Sequence, residues 1–224
     1  MDNSEIKEIE EKISYEFDNK SLIKRALTHS SFANANNTKS NERLEFFGDS
    51  ILDFIVSEFL METIENDEGD LSKLRARLVS AESLEKIIEE LDIVQYMRVG
   101  NGFKTFSPKF KANIYESVLG AIYLDGGLDE AEDFVYNTLN LCEERLQEIW
   151  DSSIDYKTKL QEFLQQNGNV NIEYKTISET GPAHNPVFTI ALFINGKQII
   201  SADANSKKGA EQDCARIALN NSLV

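Results

Sequence analysis

The period of the apolar residues changes near residue 150, and this change constrains the fold more than any other feature of the chain. Before it, apolar positions recur with the spacing of amphipathic helices, and β-branched runs are few. From about residue 169 to 204 they alternate at every second residue, as half-buried strands do. A chain of 224 residues with two such textures is expected to form two domains, 1–150 and 151–224. The seam, Trp150-Asp151-Ser152-Ser153, is polar and free of Pro and Gly, which predicts a short linker. No internal repeat or low-complexity tract interrupts either half.

Charge divides at the same place. Residues 1–150 hold 16 Lys/Arg against 31 Asp/Glu, and residues 151–224 hold 7 against 8, within a net charge of −16. This excludes a uniformly basic nucleic-acid binder but leaves room for a local basic patch. A hydrophobic content of 41% argues against disorder. Two cysteines, Cys142 and Cys214, make no disulfide framework. The acidic start Met1-Asp2-Asn3-Ser4-Glu5 lacks a secretion pattern, and no apolar run nears the roughly 18 residues of a spanning helix. The expectation is a soluble cytoplasmic protein with no membrane partner.

The second half reads as α-β-β-β-α. Ile154, Leu160, Phe163 and Leu164 suit a first helix, ended by Asn167-Gly168. Val170, Ile172, Tyr174 and Thr176 alternate, as do Phe188, Ile190, Leu192 and Ile194. Turn residues crowd Gly181-Pro182-Ala183-His184-Asn185-Pro186 between them. Asn195-Gly196 is a strong hairpin signal, and Ile199 to Ala202 would pair back. Ser206 can cap a last helix from Lys207 to about Asn221, with Ala210, Cys214, Ile217 and Ala218 inward. Lys207 and Lys208 stand in its first turn, where cations oppose the macrodipole. They read either as solvated lysines or as part of a phosphate site, with Gln161 and His184 adding contacts on either side.

Three carboxylates mark the first half. Within Asn41-Glu42-Arg43-Leu44-Glu45-Phe46-Phe47-Gly48-Asp49-Ser50-Ile51-Leu52-Asp53-Phe54, a predicted helix, Glu42, Glu45 and Asp49 share one face at i, i+3 and i+7. Leu44, Phe47, Ile51 and Ile55 supply apolar positions on other sides. The acidic face is either solvated or a site for a hard cation such as magnesium, which takes oxygen ligands. A second predicted helix, Lys111 to Gly127, sets Asn113 and Glu116 at i, i+3 among apolar and small residues. A Glu on a mostly buried helix needs a partner. Facing Glu45 and Asp49 across a helix pair, it would find a cation.

These segments carry resemblances. Residues 155–222 resemble the double-stranded-RNA-binding domain, through Tyr156-Lys157-Thr158-Lys159-Leu160-Gln161-Glu162-Phe163, Gly181-Pro182-Ala183-His184 and Ser206-Lys207-Lys208-Gly209-Ala210-Glu211. The resemblance implies Gln161 in one minor groove, His184 in the next, and Lys207 and Lys208 on phosphates. Asn41 to Leu52 is very close to the signature of ribonuclease III. Ala26-Leu27-Thr28-His29-Ser30-Ser31-Phe32, Glu68-Gly69-Asp70-Leu71-Ser72-Lys73-Leu74-Arg75-Ala76 and the Glu116 segment follow in the family's order. The whole looks like a bacterial-type ribonuclease III, an all-α, dimeric nuclease domain followed by the α+β RNA-binding domain.

That resemblance implies a magnesium-dependent endonuclease for duplex RNA, with Mn2+ as a possible substitute. Its products carry 5′-phosphate and 3′-hydroxyl ends with two-nucleotide 3′ overhangs, and its targets are ribosomal RNA precursors and other structured RNA, messenger RNA included. Glu45 and Glu116 match metal ligands, Asp49 and Glu116 the catalytic pair, and Glu42 and Glu68 supporting acids. Phe46 matches a contact between the two subunits of a homodimer; a core Phe is the other reading. Asn113 stands where the family usually has a metal-site Asp, which keeps an oxygen but removes a charge. A duplex-RNA-binding protein that cuts weakly or not at all is therefore the alternative. The stretch from Gly100 to Lys111 also departs from the family. Its three lysines and three aromatics suit RNA contact or a solvated loop with buried Phe anchors.

Overall fold

The computed structural model describes residues 1–65, 67–103, 105–146, 149, 155–165, 170–182 and 185–221. The seam at 150–153, Ile154, the Asn167-Gly168 helix end and the Ala183-His184 pair lie outside the described residues. The chain divides into two compact units, Met1–Ser153 and Ile154–Val224.

Among the described residues the first unit is helical. It comprises α1 (Asn3–Ile13), α2 (Lys20–Ala26), α3 (Ser30–Asn36), α4 (Glu42–Thr63), α5 (Glu68–Leu78), α6 (Ala81–Leu91), a 3₁₀ turn (Val94–Tyr96), α7 (Pro108–Gly126) and α8 (Leu128–Leu139). Helix α7 is the axis of the unit. Nine of its residues are buried, from Ala112 to Ile122, and α2, α4, α6 and α8 pack around it. A helix apolar on nearly all sides has no solvated face to offer and must sit in the middle. Helix α4 is the longest neighbour; it contributes Leu44, Ile51, Leu52, Ile55, Val56, Phe59 and Leu60 to the core. It extends well past the predicted stretch, since nothing in the sequence breaks it before Ile64. Phe47 is only half-buried, edge-on against Tyr123 at 5.2 Å.

The second unit holds α9 (Tyr156–Gln165), β1 (Ile172–Thr180), β2 (Val187–Ile194), β3 (Lys197–Ala204) and α10 (Lys207–Asn220). The antiparallel sheet runs β1-β2-β3. Asn195 and Gly196 both have positive φ, 50° and 78°, the conformation a two-residue hairpin of primed type demands. Leu160 and Leu164 of α9 and Ala210, Cys214, Ala215 and Ala218 of α10 pack on Ile190 and Leu192. The small residues let α10 lie close to the sheet, near enough for the Cys214 thiol to donate to the Ile190 carbonyl at 3.2 Å.

Two expected core positions move outward. Phe163 is 43% exposed because it lies off the Leu160–Leu164 stripe. Ile217 is half-buried, and Ala215 takes the inner place. A register shift between Thr176 and Ser178 on β1 leaves Ile177 outside.

Candidate active site

Helix α4 begins at a pinned residue. Asn41 is 4% exposed; its backbone N–H donates to the Thr28 carbonyl, and its side-chain amide donates to Ser117 Oγ on α7 at 3.1 Å. These bonds fix the first turn of α4 against α7. One turn further on, the backbones nearly touch. A Cβ on Gly48 would lie 1.8 Å from the Glu116 carbonyl oxygen, and one on Gly120 would lie 2.4 Å from the Leu44 carbonyl oxygen. Only glycine fits at either crossing point. Neither glycine nor Asn41 stood out in the sequence as a site residue, though glycines inside helical patterns signal close packing.

The crossing sets Glu45 and Asp49 beside Asn113 and Glu116. The Asn113 side chain stands beside the Glu45 carboxylate and holds its pKa down. Burial first, and then the Asp49 and Glu45 carboxylates, push the Glu116 carboxyl up to about 8, while Lys109 opposes them. Burial, with the Glu42 charge next, also raises Glu45; Asn113 and Lys109 hold it down. A half-buried Glu116 crowded by like charges is an unfavourable arrangement that a cation would relieve. Among the described residues, no three His, Cys, Asp or Glu side chains converge closely enough to hold a metal ion. The donors that do meet are carboxylate oxygens and the Asn113 amide, which suit a hard divalent cation.

The two remaining acids are exposed. Glu42 is exposed at the start of α4 and accepts from Ser40 Oγ at 2.9 Å. Glu68 is exposed in the first turn of α5, where it accepts from Ser72 Oγ at 3.2 Å. Phe46 is 78% exposed and shares an outward face of α4 with Phe54 and Met61. The reading of Phe46 as a core residue therefore fails. Ahead of α7, Phe103, Phe106 and Phe110 cluster with one another, and Phe103 and Phe110 also pack on His29. Phe103 and Phe110 are half-buried there, while Phe106 stays 39% exposed.

In the second unit Gln161 is exposed on α9, and His184 lies outside the described residues. Ser206 caps α10 by accepting from Gly209 N–H at 3.0 Å. A Cβ on Gly209 would press on Ser206 Oγ at 3.0 Å, so a glycine at this position leaves room for the cap. Lys207 and Lys208 project from the first turn, with Lys207 Nζ 5.4 Å from the centre of the Phe188 ring.

Comparison with known proteins places this geometry. Residues 19–141 match the ribonuclease-III-like family model, and residues 156–222 match the double-stranded RNA binding motif. The chain is 37% identical over 221 residues to Ribonuclease 3 of Listeria monocytogenes, covering 95% of this chain and 96% of the relative. It is 39% identical over 222 residues to Ribonuclease 3 of a Nitratiruptor species, covering 96% of each. A solved nuclease domain of ribonuclease III from Campylobacter jejuni, described for flexibility in a region involved in dimer formation, is similar at a TM-score of 0.57 and 35% identity. The match covers 60% of this chain and 96% of that one. Among the described residues no helix is long and apolar enough to cross a membrane. The chain belongs to the ribonuclease III family of endoribonucleases, with a helical nuclease domain followed by a double-stranded-RNA-binding domain.

Proposed function

We propose that the chain is a magnesium-dependent endoribonuclease that cuts both strands of duplex RNA in the cytoplasm as a homodimer. The observation that carries this reading is the Glu116 carboxyl, held half-buried against the Asp49 and Glu45 charges across the α4–α7 crossing. Glu45, Glu116 and the Asn113 amide oxygen would hold the ion. When bound, Mg2+, or Mn2+ in its stead, supplies positive charge at the scissile phosphate and at the attacking and leaving oxygens. Asp49 orients the attacking water and works with Glu116 as the catalytic pair. Glu42 and Glu68 add negative potential that concentrates cations. Asn113, by lowering the Glu45 pKa, favours the charged carboxylate that ligation needs.

The acidic first domain repels RNA, so the second domain supplies the binding. Gln161 and His184 reach successive minor grooves, and Lys207 and Lys208 take phosphates. The outward apolar face of Phe46, Phe54 and Met61 supports pairing of two nuclease domains. Products with 5′-phosphate, 3′-hydroxyl and two-nucleotide 3′ overhangs follow from paired sites cutting opposite strands. Ribosomal RNA precursors and structured messenger RNA are the proposed substrates.

Asn113 favours a second reading, in which the lost charge leaves a duplex-RNA binder with little cleavage. A long RNA duplex incubated with the full chain and Mg2+ decides between them. The nuclease reading expects short duplex products with the stated ends. No products at raised Mg2+, with cutting restored by Asn113→Asp, would establish the binder.

A further inference from the structure

Lys109 is an exposed cation beside the acidic pair of Glu45 and Glu116. It lies on α7 at i, i+4, i+7 and i+11 with Asn113, Glu116 and Gly120, one stripe of the helix. Gly120 and Glu116 touch α4 and Asn113 acts on Glu45, so this is the stripe that faces the acidic helix. Lys109 stands at its exposed end. Among the described residues it makes no ion pair within bonding distance, yet its charge acts on both Glu45 and Glu116. Its neighbour Lys111 is committed elsewhere, to Glu85 at 2.9 Å and to Glu89 on α6. Lys104 lies outside the described residues. Helix α7 has no acid in its first turn, where acids are favoured, and carries Lys109 there instead, against the macrodipole.

We propose that Lys109 is the phosphate anchor of the cleavage site: its ammonium takes a non-bridging oxygen of the RNA backbone lying against Glu45 and Glu116. The proposal rests on the nuclease reading above. A free ammonium on a long stem at the mouth of a carboxylate site repels a divalent cation and attracts a phosphate. With Asn113 neutral, this chain has one negative charge fewer for ion binding and a cation of its own for the substrate. Lys109 thus offers a charge-assisted contact to the group being cut and none to the ion.

The test compares the full chain with Lys109→Ala and Lys109→Arg in two assays. One is the single-turnover rate of duplex RNA cleavage at saturating Mg2+. The other is Mn2+ affinity without RNA. The expected result for Lys109→Ala is a rate lower by about ten- to a hundred-fold with Mn2+ binding unchanged or several-fold tighter, and for Lys109→Arg recovery of most of the rate. Cleavage by Lys109→Ala within two-fold of the parent at saturating Mg2+ would overturn the anchor and leave Lys109 as a screening charge. Weakened Mn2+ binding in Lys109→Ala would also overturn it, by showing that the lysine supports the acidic site. A parent chain that cuts nothing overturns the nuclease reading and this proposal with it, so the two failures are told apart in the parent.

Discussion

Gly48 lies so close to Glu116 that a single added methyl carbon would sit 1.8 Å from the Glu116 carbonyl oxygen. This contact brings the acids of α4 to the acid of α7, and Gly120 repeats it from the other helix. Gly48→Ala must therefore push the helices apart. The expected cost is about 1–3 kcal/mol of stability, with loss of cleavage beyond what stability explains. Gly69→Ala is the control, since its nearest contact would be Asp67 Oδ1 at 3.4 Å. Urea unfolding of the three proteins checks this.

Glu116 links stability to pH. Its carboxyl is raised in the fold to about 8, from 4.5, by burial and by the Asp49 and Glu45 charges. Over that window the folded chain binds a proton that the unfolded chain releases, so stability falls as pH rises from about 4.5 to 8. In chelator, Glu116→Gln is expected to flatten this slope and to be the more stable protein at pH 8, while being inactive. Thermal melts across the window measure it; an unchanged slope contradicts it.

Asn113→Asp should shift the balance of the site. It replaces the neutral amide beside Glu45 with a charged carboxylate. Divalent cations should bind several-fold more tightly, and cleavage at limiting Mg2+ should quicken. Mn2+ titration, with and without RNA, reads both effects.

RNA binding is expected to reside in the second domain. Lys207→Ala with Lys208→Ala should weaken duplex binding and lower the slope of log affinity against log salt by about one per lysine. Removing residues 151–224 should weaken binding more than it slows cleavage at low salt. Equal binding by the shortened chain, which keeps its own hydrophobic core, would end this division of labour.

Phe46→Asp is expected to split the proposed dimer without unfolding the chain, because the ring is 78% exposed. Sedimentation gives the mass, and circular dichroism the helix content.

What the sequence revealed was local. The α-β-β-β-α order was legible because Asn195-Gly196 and Ser206 act within a few residues of themselves, through positive φ and a cap. The stripe of Glu42, Glu45 and Asp49 was legible because helix period alone aligns it. The approach of Gly48 to Glu116 and the bond from Asn41 to Ser117 join residues dozens of positions apart, and no local rule announces them. Phe46 and Phe163 show the same limit: their outward placing depends on which stripe of each helix the rest of the fold covers.

Glu45 and Glu116 are proposed to ligate one divalent ion between α4 and α7. Anomalous diffraction from crystals of the full chain grown with Mn2+ tests it most directly. The account predicts a manganese peak bonded to oxygens of both carboxylates, lost in Glu116→Gln. A peak elsewhere, or none at this site in crystals whose protein cuts duplex RNA, would contradict it.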